Sequence, residues 1–224
     1  MSRVTILILV ILLSIPVLLI TRHAGLAQAG PAETKAKTSA STPGMTASAH
    51  AKMTDTQKIA DAMGAAPSGI SRNATIMDWP DSPTGKPRQL RAGTNGWVCY
   101  PSSPEMHPGA SGNDPMCFDK SWQSWAEAWM NKTTPRVSSA GIAYMLKGDA
   151  GASNTDPFAM SATPTNQWVV SPPHTMVLYP DTKMLDAFPT DPKNGGPWVM
   201  WKGTAYAHLM VPVSTSAGAM MPSK

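Results

Sequence analysis

Proline and glycine interrupt this chain so often that few long helices can form. There are 22 prolines and 17 glycines among 224 residues. Proline removes a backbone donor, and glycine leaves the chain free to turn. The folded part must therefore consist of short segments joined by turns. Charged residues make up only 14%, against about 25% in typical globular domains. Eight tryptophans supply the large apolar surfaces that a core needs. A chain of this length can build one domain of ordinary size.

The N-terminus sets the cellular context. Arg3 precedes an apolar run from Val4 to Ile20, broken only by Thr5, Ser14 and Pro16, and Ala27-Gln28-Ala29 follows. A positive start, an apolar core and a small-x-small site is the layout of a secretory signal peptide. The expectation is a signal peptide over 1–29 and a mature chain that is periplasmic or secreted. The alternative is an uncleaved N-terminal anchor in the inner membrane, since the run lies at the short limit for a span. No other membrane segment is expected. Without Arg3 and Arg22 the formal charge falls from +4 to +2. With no basic cluster, nothing marks a nucleic-acid partner.

Residues 30–53 are rich in Ala, Thr, Ser and Lys and nearly free of large apolar side chains. Such a segment cannot bury enough surface to order itself and reads as a disordered linker. A single globular domain is expected over 54–213, with a frayed tail over 214–224. Thr54 to Gln57 forms a capping-box pattern ahead of Ile59, Ala62 and Met63, which predicts a helix over 55–63 ending near Gly64. A second helix is predicted over 120–130. There Trp122, Trp125 and Trp129 share one face and Asp119 or Ser121 can cap the start. Residues 65–95 and 101–116 read as turn-rich loops, and 147–158 as a polar loop. Short strands are predicted at 75–77, 97–100, 141–146, 168–170, 174–179, 198–201 and 207–211. The fold class expected is α+β: a strand-dominated single domain with two short helices and long Pro/Gly-rich loops.

Cys99 and Cys117 are the two cysteines. In an exported chain an even count points to a disulfide. The rival is a thiolate metal site, against which stands the lack of any CxxC pair. The common catalytic signatures are absent: no GxSxG, SxxK, HExxH, P-loop or GxGxxG occurs in the sequence.

Three constellations remain. Trp168-Val169-Val170 precedes His174-Thr175-Met176-Val177, and Trp198-Val199-Met200 precedes His208-Leu209-Met210-Val211. In a strand, positions i and i+2 share a face. Each histidine would then stand beside its methionine, and His174, Met176, His208 and Met210 would suit copper, because thioether sulfur favours Cu(I). The competing reading is a buried histidine satisfied by a backbone carbonyl beside a core methionine. Asp114, Asp119 and Asp156 lie in turn-like segments and could hold calcium, although Asp before Pro is also an ordinary turn former. Finally, His174 or His208 could act as general base with Asp114, Asp119 or Asp156. The tryptophan stripe reads as core or, alternatively, as a ligand platform.

Several segments together resemble a family of exported bacterial proteins of uncharacterised function. They are Arg91 to Cys99, Gly112 to Cys117, Ala152 to Pro157 and Trp198 to Pro212. The resemblance implies an exported single domain containing this cysteine pair, and it carries no activity with it. The functional expectation is a non-catalytic small-ligand or metal-binding domain. The alternative is a small periplasmic hydrolase using His208 or His174.

Overall fold

The computed structural model describes residues 53–80, 82, 85–103 and 113–213. The expected signal peptide, the linker apart from Met53, and the tail lie outside the described residues. All described residues belong to one compact unit, Thr42–Lys224. The architecture is α+β and strand-dominated. Among the described residues no helix is long and apolar enough to cross a membrane.

Helix α1 spans Asp55–Met63 and starts as its sequence dictates. The Thr54 side chain accepts from the Gln57 amide while the Gln57 side chain accepts from Thr54 N. Helix α2 is a single turn, Ser68–Ser71. Helix α3 spans Lys120–Met130. Asp119 rather than Ser121 caps it, accepting from the Trp122 amide at 2.9 Å.

Strands β1 (Thr75–Asp78), β2 (Arg88–Arg91), β3 (Val98–Tyr100), β4 (Met116–Phe118) and β5 (Gly141–Met145) form part of one large sheet. A small hairpin comprises β6 (Ala152–Ser153) and β7 (Trp168–Val169). Strands β8 (His174–Leu178), β9 (Trp198–Met200) and β10 (His208–Pro212) complete the large sheet, with a 3-10 helix at Thr182–Ala187. The sheet order is β2-β1-β3-β4-β5-β8-β10-β9. Among the described residues, only the β1–β3 pair of this sheet is parallel.

Two of these strands, β2 and β6, fall in segments that read as loops, and β4 begins at the last residue of one and continues into residues given no element. β2 is an arginine-bearing edge strand paired antiparallel with β1, and its Arg88 reaches Asp55 at 2.7 Å and Asp78 at 3.1 Å. β4 is only three residues long and buried on both faces, so it shows no apolar alternation. β6 is two residues long and exists through its pairing with β7.

Both faces of the sheet are covered. On one face Ala62 of α1, with Ala65 and Ala66 just beyond its end, packs against Ile76, Cys99 and Cys117. Leu185 of the 3-10 helix packs with Val199 and Leu209 further along the same sheet. On the other face α3 lays Trp122 and Trp125 over β4, β5, β8, β9 and β10. Gly141 permits that approach, because a Cβ there would stand 2.7 Å from the Ser121 Cβ and 3.2 Å from Trp122 Cδ1. Cys99 and Cys117 are bonded to each other as direct neighbours across β3–β4, and both are fully buried.

Candidate functional site

The α3-covered face of the sheet is unusually rich in methionine. Its buried cluster holds Met116, Met145, Met176, Met200 and Met210, but a single leucine, a single valine and no isoleucine. Leu, Ile and Val define core packing better, because methionine is flexible and its thioether polarizable.

Strand register places both histidines among these thioethers. Across β5–β8, His174 faces Met145 and Ala143 faces Met176. Across β8–β10, Met176 faces Met210. Across β10–β9, His208 faces Met200 and Met210 faces Trp198. The four residues singled out from sequence therefore share one face. They do not converge on one point. His174 is paired with Pro212, and His208 sits four residues before it on β10, a separation of roughly 13 Å along the strand. The arrangement is two His–Met groups joined by the central Met176–Met210 pair. Met145 and Met200, which lie directly opposite the histidines, carry no mark in the sequence, since only cross-strand pairing reveals them.

Each imidazole is oriented in the same way. His174 Nδ1 lies 2.7 Å from the Pro172 carbonyl oxygen, and His208 Nδ1 lies 3.0 Å from that of Tyr206. A carbonyl only accepts, so Nδ1 carries the proton in both rings and Nε2 keeps its lone pair. This is how backbone carbonyls orient metal-binding histidines. His174 is fully buried, and its Nε2 has no hydrogen-bond partner among the described residues. Leaving such an atom unpaired costs about 1–3 kcal/mol. Burial holds the His174 imidazole below its usual pKa, opposed by the nearby Asp149 carboxylate and the Pro172 carbonyl. Burial likewise pushes His208 down to about 4, with the Tyr206 carbonyl opposing and His174 adding to the drop.

A polar group borders the His174 end of the sheet, where β3, β4, β5 and β8 begin or end. Asp61 accepts from the Ser102 amide at 2.7 Å and from Lys147 Nζ at 2.8 Å. Asp114 accepts from the Ser103 amide at 2.9 Å. Asp149 Oδ1 accepts from the Gly151 and Ser171 amides. Burial pushes the Asp114 carboxyl up to about 6, with Asp149 and Asp61 adding to the rise and the Ser103 amide opposing it. A folded-state value above the unfolded 3.8 means that the fold binds this proton more tightly. Asp114 therefore favours the fold at low pH, and stability falls as pH rises through about 4 to 6, by up to about 3 kcal/mol. Asp114→Asn is expected to flatten this part of the profile and to stabilise the protein at pH 7. Urea denaturation at several pH values measures it, and a decline that persists unchanged in the variant contradicts the assignment.

The three aspartates considered for calcium have separate structural tasks. Asp119 caps α3 and also accepts from the Ile142 amide at 2.6 Å. Asp156 closes a turn on the Phe158 amide at 2.9 Å. Asp114 holds Ser103 as described. Among the described residues no three His, Cys, Asp or Glu side chains are grouped to hold a metal ion. Two open surface hollows, around Asn131 and Arg136 and around Lys183 and Lys202, include neither histidine. The tryptophan stripe forms core at Trp122 and Trp125, while Trp129 is half-buried and donates to the Pro157 carbonyl at 2.9 Å. No family model, curated protein or solved structure matches this chain.

Proposed function

We propose that this is an exported protein that binds a soft monovalent metal ion, copper(I), through His174 Nε2 and the thioethers of Met145 and Met176. The observation that carries the reading is the buried, unpartnered Nε2 of His174, set in register among methionines. A neutral imidazole with thioethers is a soft ligand set, which selects Cu(I) over hard divalent cations. The ion would bring one positive charge into a buried site. The Asp149 carboxylate, whose field favours a cation at His174, offsets part of that cost. Export is supported by the apolar N-terminal segment and by the Cys99–Cys117 disulfide, since such bonds persist in oxidising compartments.

The hydrolytic reading has less support. A general base must come within hydrogen-bond reach of its substrate, and His174 and His208 are 0% and 2% exposed.

The test is an anaerobic Cu(I) titration against a chromophoric competing chelator. Met145→Leu and Met176→Leu conserve volume and should cost under about 1.5 kcal/mol of stability. Each is expected to weaken the His174-dependent ion at least tenfold, equivalent to about 1.4 kcal/mol. Binding unaffected by either change, or no binding at all, overturns the proposal.

A further inference from the structure

We infer that His208 heads a second, separate soft-cation position, with Met200 and Met210 as thioether ligands and three tryptophans as its walls. The inference rests on the copper reading and extends it to a site of different construction. His208 shares with His174 the two features that suit a ligand, a carbonyl-bonded Nδ1 and a thioether directly across the sheet. Met210 follows two residues along the same strand and face.

What differs is the wall. The ring centroids of Trp201, Trp122 and Trp125 lie 5.1, 5.2 and 5.6 Å from that of His208. Their planes are turned 84°, 79° and 82° from the imidazole. Indole π density attracts cations, tryptophan most strongly of the aromatic side chains. Three such rings also exclude water from a bound ion.

The backbone supports the inference independently. Trp201 has φ of +56°, a left-handed conformation that is an outlier for so bulky a residue. Its amide donates to the Asn154 carbonyl at 2.9 Å, and its indole N–H donates to the Ser153 carbonyl at 2.6 Å. The β6–β7 hairpin thus holds Trp201 in a costly conformation, stacked at 2° on Trp125 and against His208. Strain of this kind persists where the surroundings enforce it and is concentrated at functional positions.

The test is stoichiometry combined with tryptophan emission, using Cu(I) under anaerobic conditions and Ag(I) as a redox-inert soft cation. The full mature chain is expected to bind two ions. The one at His208 should change tryptophan fluorescence, because its ligands lie against three indoles. Met200→Leu and Met210→Leu should each reduce the stoichiometry to one and remove the emission change, with near-UV circular dichroism confirming an intact fold. A single ion lost through Met145→Leu, with emission indifferent to Met200→Leu, overturns the second position and leaves the His174 site standing. A single ion that alters emission and is lost through Met200→Leu supports this position and overturns the His174 reading. No bound ion overturns both.

Discussion

Replacing Trp122 with alanine is expected to destabilise the domain by about 3–5 kcal/mol, the usual cost of removing a large buried aromatic. Trp122 is 1% exposed and is the point where α3 meets the sheet. It stacks on Phe118 with centroids 6.1 Å apart, tilts against Trp125 at 4.7 Å and forms one wall of His208. α3 already packs close to the sheet there, where a Cβ on residue 141 would stand 2.7 Å from the Ser121 Cβ. A cavity would remain beside His208. Urea denaturation should show a lower midpoint with an unchanged slope. A loss below about 1 kcal/mol would contradict the assignment of Trp122 to the centre of the core.

The second large effect is expected from the disulfide. The Cys99→Ala/Cys117→Ala double variant should lose about 3 kcal/mol, as the chain-entropy model gives for a loop of this length. The bond spans 18 residues and joins β3 to β4 beneath α1. Without it, the described ends of the segment between the two strands keep their strand pairing and the hydrogen bonds of Asp61 to Ser102, Asp114 to Ser102 and Ser103, and Trp79 to the Pro101 carbonyl. In a domain of this size the loss corresponds to roughly 6–12 °C in melting temperature. A second readout is chemical: the native protein should take up no alkylating agent without reductant. Alkylation of either cysteine without reductant, or an unchanged melting temperature in the variant, contradicts the pairing as a stabilising bond.

The parts of the fold legible in the sequence are those governed by local rules. The Thr54–Gln57 capping box fixes the start of α1, and Asp119 with the Trp122/Trp125/Trp129 spacing fixes α3 to the residue. Strands β5, β8 and β10 show themselves through β-branched and aromatic runs between Pro and Gly. β2 hides because Arg88 and Arg91 make it look like loop; its pairing with β1 and its arginines' partners Asp55, Asp78, Ser71 and Ala74 become visible only in the folded chain. β4 hides because Met116, Cys117 and Phe118 are all buried. The site divides in the same way. The His-x-Met spacing is a local fact and puts each pair on one face. That Met145 stands opposite His174, and Met200 opposite His208, depends on long-range register. The left-handed Trp201 depends on the β6–β7 hairpin, whose strands are too short to announce themselves.

X-ray absorption spectroscopy at the copper edge, on the Cu(I)-loaded mature protein, tests the central claim most directly. The account predicts a mixed shell of imidazole nitrogen and thioether sulfur, with the sulfur contribution reduced in Met145→Leu and Met176→Leu. A shell of nitrogen and oxygen alone, unchanged in both variants, would place the ion elsewhere and contradict it.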